Sequence, residues 1–294
     1  MKVHLIDGTY ELFRHFFGAP SHLTDKGYEV GGTRAVLASM LSLLEQGATH
    51  VGIATDHVIP SFRNDLYEGY KDGSDIDPVI FGQFQILEDV LEAAGFVIFP
   101  MVEFEADDAL GSAARRANAD TRVNQVVICT PDKDLGQCLT PDHRIVQYDR
   151  RKKVLTDYEA VIEKFGVAPE SIPDYLGLMG DTADGFPGLS GWGAKSSSTI
   201  LAVYNHIENI PDDPNEWEVS VRGANKLAKT LEENRDLALL FREIATIAYD
   251  APTFGSLDEL QWEGPGSDFA KIAEKIDATK LVERAEQIAE SRSS

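Results

Sequence analysis

The sequence predicts an α/β fold: a mainly parallel sheet with helices on both faces, followed by a largely helical second part. Three observations carry this expectation. Short apolar runs alternate with helix-spaced patterns through the first half of the chain, as a wound parallel sheet requires. From Asp157 onward the apolar spacing is almost entirely helical. A chain of 294 residues with 43% hydrophobic content can bury a sizeable core, which argues against disorder.

The elements follow in order. Residues 2–7 form an apolar run ending in an acid and read as the first strand. Residues 31–46 carry Val36, Leu37, Met40, Leu41, Leu43 and Leu44 at helical spacing. Then come a strand at 50–56, a helix at 79–94, a strand at 96–100, a helix at 105–117 and a strand at 124–130. A short helix after Asp134 and a strand at 144–148 complete the alternating series. The expected boundary lies near residue 155, dividing a sheet domain (1–155) from a helical part (156–294). In the latter, helices are expected at 157–165, 171–179, 194–204, 223–233 and 235–247. Beyond residue 250 the pattern supports one helix at 268–276 and a frayed, polar end.

Charge is unusual. Acidic residues outnumber basic ones 49 to 27, for a net −22, the wrong sign for routine nucleic-acid binding. Such an excess fits solubility or a saline environment. The two cysteines, Cys129 and Cys138, follow no metal-ligand spacing. Cys129 falls in a buried-strand pattern, so an inert core thiol and a cytoplasmic location are expected. No apolar run reaches the ~20 residues of a membrane span, and the strand pattern at residue 2 leaves no room for a signal peptide.

Part of the negative charge is concentrated. Asp7, Asp56 and Asp132 sit at or just past the ends of apolar runs, where open α/β sheets bind ligands. Glu105, Asp107 and Asp108 open a helix, Asp134 follows Asp132 by two, and Asp181 and Asp184 lie in a Gly-rich loop. Two sets have a plain structural explanation, helix-dipole compensation for Glu105–Asp108 and turn chemistry for Asp132, and the pair Asp181 and Asp184 is by itself a weak signal. Together, nine carboxylates gathered in one crevice would repel by several kcal/mol even at an effective dielectric of ~20. Divalent cations would make that tolerable, and all-oxygen ligation favours Mg²⁺ or Mn²⁺. The set reads as a two-metal phosphoryl-transfer site. A second feature is the Gly-rich turn from Gly180 to Lys195, with Gly188, Gly191 and Gly193 leading into a helix. Helix N-terminal N–H groups there can hold a phosphate without reading bases, and Lys195 adds charge. Alternatively the glycines serve turn geometry alone.

At this point the chain resembles the structure-specific 5′ nucleases, namely the 5′–3′ exonuclease domain of bacterial DNA polymerase I and the flap endonucleases. The segments that carry the resemblance are Leu5-Ile6-Asp7-Gly8, Asp56 with Phe62-Arg63, and Leu66-Tyr67-Glu68-Gly69-Tyr70-Lys71. They continue with Glu105-Ala106-Asp107-Asp108, Thr130-Pro131-Asp132-Lys133-Asp134, Leu178 to Asp184, Gly188 to Lys195, Arg222-Gly223-Ala224 and Ala245-Thr246-Ile247. They run in family order over roughly residues 2 to 250. The resemblance implies a PIN-like core, with a helix–three-turn–helix DNA-binding element at about 174–204 that in the family also holds K⁺. It implies that Asp7, Asp56 and Asp107 hold the ion that activates water, and that Asp132 and Asp134, sharing Asp107, hold a second. Glu105, Asp108, Asp181 and Asp184 would act through bound waters or weaker ligation. Lys71 would contact the scissile phosphate beside a stacking Tyr70, and Arg63 would add positive charge. Gly188, Gly191, Gly193, Lys195 and Arg222 would contact DNA.

The resemblance has departures. Asp72-Gly73-Ser74-Asp75 follows Lys71 where the family places basic residues, and Ser190, Trp192 and Ala194 replace the usual residues of the Gly-rich turn. The segment before residue 79 is too short for a long threading arch. The expected function is therefore metal-dependent 5′–3′ exonuclease or 5′-flap endonuclease chemistry in replication and repair, by a stand-alone enzyme. Its expected partner is DNA bearing a 5′ flap, nick or 5′ end, or an RNA–DNA hybrid, with no membrane. The alternatives are a non-catalytic module for branched DNA and an RNA-directed nuclease of the same fold. Leu5-Ile6-Asp7-Gly8-Thr9 is also similar to haloacid-dehalogenase phosphatases, but Leu5 occupies the nucleophile position there and excludes covalent catalysis.

Overall fold

The computed structural model describes residues 1–293. In chain order the elements are β1 (Lys2–Asp7), α1 (Gly8–Gly18), α2 (Gly31–Glu45), β2 (His50–Asp56), α3 (Phe62–Leu66), α4 (Pro78–Phe81), α5 (Phe84–Ala93), β3 (Val97–Met101), α6 (Ala106–Ala119) and β4 (Gln125–Cys129). They continue with β5 (Ile145–Asp149), β6 (Val154–Thr156), α7 (Tyr158–Phe165), α8 (Ile172–Met179), α9 (Ala194–Tyr204), α10 (Ala224–Ala245), α11 (Phe269–Glu274) and α12 (Thr279–Ser293). A 3₁₀ turn at Asp134–Cys138 stands where the short helix was expected.

The chain forms two compact units. The first comprises Met1–Ile59, Gly73–Thr130 and the chain from Tyr249; the second comprises Pro60–Asp72 and Pro131–Ala248. This division differs from a single cut near residue 155. The reason is long-range anchoring: Arg63 is tied to the carbonyls of Ile244 and Thr246, whereas Ala251 N–H donates to Ser112 in α6.

In the first unit, β1 pairs in parallel with β2 on one side and β4 on the other, and β3 extends the sheet beyond β2, also in parallel. The central strands are apolar on both faces, as a sheet covered twice must be. Leu5, Ile6, Ile53, Ala54, Val126 and Ile128 are fully buried. Register sets Asp7 beside Ala54, and Asp56 beside Met101, so the acids emerge at neighbouring strand ends.

Three local expectations are corrected. Residues 8–18 form a helix that the sequence reading left unassigned, since it follows β1 with no intervening turn; Asp7, the last residue of the strand, caps it by accepting from Tyr10 N–H at 2.8 Å. The 79–94 helix is two helices, broken at Gly82–Gln83, with the buried Gln83 accepting from Thr33 instead. The polar end is not frayed: α12 buries Val282, Ala285 and Ile288, a narrow i, i+3 stripe in an otherwise polar sequence. The break expected between helices at 223–233 and 235–247 is present: within α10 the backbone of Asn234 is non-helical (φ −135°, ψ 24°), and two helical stretches meet there at a kink.

The second unit is mainly helical, with the antiparallel pair β5–β6. Helices α8 and α10 pack against each other. Asp174 is their hub, 2% exposed. It accepts from Ile207 N–H at 3.0 Å and pairs with His206 at 2.9 Å and Arg242 at 3.3 Å. Cys129 and Cys138 are buried and not joined in a disulfide.

Candidate active site

The first unit contributes five of the expected acids. Asp7 ends β1; its Oδ1 caps α1 and its Oδ2 accepts from Thr130 Oγ1 at 2.9 Å. Asp56 ends β2; its backbone N–H donates to Thr9 Oγ1 at 2.9 Å, and its Oδ1 accepts from Ala106 N–H at 2.8 Å. That second bond ties the end of β2 to the start of α6. There Asp108 accepts from Glu105 N–H at 3.0 Å, closing a capping box in which both acids are buried. Asp107 lies on the half-buried side of the same turn. The helix-start role and a ligand role are compatible, because each carboxylate has two oxygens with lone pairs in excess of these bonds.

The second unit holds Asp132, Asp134, Asp181 and Asp184. Asp134, Asp181 and Asp184 each place a carboxylate oxygen within 4.8 Å of the others. Asp132 Oδ1 accepts from Asp134 N–H at 2.9 Å, shaping the turn that presents Asp134. The loop carrying the other two acids is fixed by paired backbone bonds between Asp181 and Phe186. Phe186 is fully buried and stacks on Phe241 at 5.5 Å. Gly185 permits the close approach: at φ +87°, an added Cβ would meet the Gly69 carbonyl at 2.3 Å. Lys71 N–H donates to the Asp184 carbonyl at 3.0 Å, and its ammonium lies 2.9 Å from the Asp184 carboxylate.

Lys133 is the residue whose role the sequence reading missed. Its ammonium bonds Asp181 and stands 3.3 Å from Asp134. Burial works against its charge, but Asp134, Asp181 and Asp132 outweigh burial and hold its pKa well above the usual lysine range. Burial, then the charges of Asp132, Asp184 and Asp181, push the Asp134 carboxyl well above the usual range, with Lys133 opposing. A lysine flanked by two acids inside the 130–134 motif was the available signal. The donor set fits a divalent cation: it is all oxygen, and the buried Asp134 Oδ1 accepts no hydrogen bond, its compensation being the Lys133 ammonium at 3.3 Å.

Two of the expected site residues are buried. Arg63 is 3% exposed and donates through Nε to the Ile244 carbonyl at 2.7 Å and through a terminal nitrogen to Thr246 at 2.9 Å. It is a clamp on the end of α10. Tyr70 is 5% exposed, and its ring carries the Lys71 ammonium 5.4 Å from the centroid.

The glycine turn joins α8 to α9. Gly188, at φ +66°, packs on Gly180 so closely that an added Cβ would lie 2.3 Å from the Gly180 nitrogen. Gly191 has φ +87°, and Gly193 caps α9, its N–H donating to Ser196 Oγ at 3.0 Å. Lys195 is exposed in the first turn of α9, and Arg222 is exposed just ahead of α10. Trp192 is buried, donating to the Leu227 carbonyl at 3.2 Å and lying 6.4 Å from Trp217; that packing explains the departure at this position. Among the described residues, no helix is long and apolar enough to cross a membrane.

Residues 2–166 match the family described as 5′-3′ exonuclease, N-terminal resolvase-like domain, and residues 167–268 match 5′-3′ exonuclease, C-terminal SAM fold. The chain is 34% identical over 270 residues to DNA polymerase I of Bacillus caldotenax, covering 90% of this chain and 30% of that protein. It is 34% identical over 266 residues to DNA polymerase I of Pseudomonas aeruginosa, covering 87% and 28%. The chain thus spans about 30% of the length of these relatives. Among solved structures it is similar to T5 D15 protein co-crystallized with metal ions (TM-score 0.67, 18% identity, 97% of this chain and 100% of that one). It is also similar to the catalytic core of Rad2 in complex with DNA substrate (TM-score 0.62, 14% identity, 98% and 92%). At these identities the likeness to solved structures is one of fold.

Proposed function

Because the chain belongs to the 5′-3′ exonuclease family, we propose that it hydrolyses DNA phosphodiesters at 5′ ends, nicks or 5′ flaps with two or more Mg²⁺ or Mn²⁺ ions. The observation that carries this reading is the group Asp134, Asp181 and Asp184, whose carboxylate oxygens lie within 4.8 Å of one another. Asp132, Asp134, Asp181 and Asp184 would hold cations in the second unit. Asp7, Asp56, Asp107, Glu105 and Asp108, gathered at strand and helix ends, would do so in the first. Bound divalent cations supply positive charge that lowers the pKa of the attacking water and stabilises charge on the phosphate and the leaving 3′ oxygen.

The protein's own part is positioning and charge. Lys71, seated over Tyr70, is assigned to the scissile phosphate, exchanging Asp184 for a phosphate oxygen. The α8–α9 element, with Gly188, Gly191, Gly193, Lys195 and a K⁺ ion, would hold the duplex backbone without reading sequence. Arg222 would add a phosphate contact ahead of α10.

A labelled 5′-flap duplex and a nicked duplex, incubated with Mg²⁺ and with Mn²⁺, test the proposal. Release of mononucleotides or of an intact flap supports it, and substrate left whole with both metals refutes it. Asp134→Ala should abolish cleavage while retaining binding of the flap duplex.

A further inference from the structure

One buried acid plays no part in the reading above. Glu88 lies in α5 on a face whose neighbours Leu87, Val90 and Leu91 are fully buried, and is itself 6% exposed. A carboxylate so placed is costly unless both oxygens are engaged. They are: Oε1 accepts from Thr55 Oγ1 at 2.7 Å, and Oε2 lies 2.7 Å from His57 Nδ1. Thr55 and His57 are the two residues that flank Asp56.

The geometry has a direction. Successive strand residues alternate faces, so Thr55 and His57 turn toward α5 while Asp56 turns the other way. Its carboxylate accepts from Ala106 N–H, at the start of α6. Glu88 therefore grips both neighbours of Asp56 without competing for the Asp56 oxygens. The grip falls at the last residue of β2, where the ladder ends and the backbone would otherwise be free to fray. Two further bonds close the frame: Asp56 N–H to Thr9 Oγ1, and His57 N–H to the Met101 carbonyl at 3.0 Å.

We propose that Glu88 is a positioning residue: through Thr55 and His57 it fixes the end of β2, so that Asp56 presents its carboxylate to a divalent cation in one orientation. The inference rests on the metal-ligand reading of Asp56. Outer-shell partners of ligating residues typically change metal affinity 10- to 100-fold when removed. Here the partner acts through backbone geometry, and an effect at the lower end, about 10-fold, is expected.

The test is calorimetric titration of the metal-free protein with Mn²⁺, with thermal unfolding recorded alongside. Glu88→Leu removes both contacts and should weaken Mn²⁺ binding about 10-fold. Glu88→Gln, whose amide can still bridge Thr55 and the other tautomer of His57, should bind nearly as wild type. Leu87→Ala, a core truncation in the same helix, should lower the unfolding midpoint but leave Mn²⁺ affinity intact. If Glu88→Leu fails to fold, His57→Ala, which removes one arm, should give a smaller loss of affinity in the same direction. Wild-type affinity in Glu88→Leu, or an equal loss in Leu87→Ala, overturns the inference alone. Absence of Mn²⁺ uptake by the wild-type protein overturns the metal reading, and this inference falls with it.

Discussion

Lys133 shows how a single side chain can offset charge inside an acidic cluster. Three carboxylates lie within ligand distance of one another, and the lysine ammonium contacts two of them. Removing it should destabilise the metal-free protein by about 1–2 kcal/mol, a buried-pair value discounted for partial exposure. Lys133→Met is thus expected to unfold earlier than wild type in a chelator, and to recover most of the difference in millimolar Mn²⁺. Denaturant titration in both conditions measures this. Arg63 makes the opposite point, a cation in a nuclease motif that serves the fold. Arg63→Met should cost about 2–4 kcal/mol by leaving the Ile244 and Thr246 carbonyls unpaired. An unchanged unfolding midpoint would show that the clamp is dispensable.

At the scale of elements, α8 and α10 are held at one end by a charged knot. Asp174 is buried beneath Arg242, and Arg242 also binds Glu208. The Arg242 guanidinium, outweighing slight burial, holds the Glu208 carboxyl below its usual range. A folded-state pKa below the unfolded one adds stability that is complete above the unfolded value of about 4.3 and is lost as pH falls through the folded value. Glu208→Gln should therefore lower the unfolding midpoint at pH 7 and leave it nearly unchanged near pH 3. The difference at neutral pH is expected to stay within about 1 kcal/mol, because the pair is solvent-accessible. Midpoints equal at both pH values would show that the pair contributes nothing.

For the whole molecule, a net charge of −22 opposes both compaction and approach to a polyanion. Screening should relieve the first: raising KCl from low ionic strength to 0.5 M, roughly a threefold-shorter Debye length per tenfold salt, is expected to raise the unfolding midpoint. Millimolar Mn²⁺ should raise it further at constant ionic strength, since ligand binding to the native state alone stabilises it. Asp134→Ala should keep the KCl response and lose part of the Mn²⁺ response. Identical responses to Mn²⁺ and to an ionically matched KCl solution would exclude specific cation sites.

Much of the architecture was legible in the sequence. Strands at 2–7 and 50–56 are fixed by apolar runs ending in Asp7 and Asp56, and a run buried on both faces has few other ways to fold. The family was equally readable from the order of its motifs, and the Gly180–Lys195 turn from its glycines, because positive-φ turns restrict residue type. Only the tertiary structure decided which charges serve the fold. Arg63 and Tyr70 sit in motif positions, yet their partners at Ile244, Thr246 and Lys71 place them inside the core. Glu88 fell at helical spacing among apolar residues, but Thr55 and His57 are its partners through the fold rather than through the helix. Local pattern determines which face of an element is apolar. What a buried charge pairs with depends on contacts made across tens or hundreds of residues, and no local pattern encodes those.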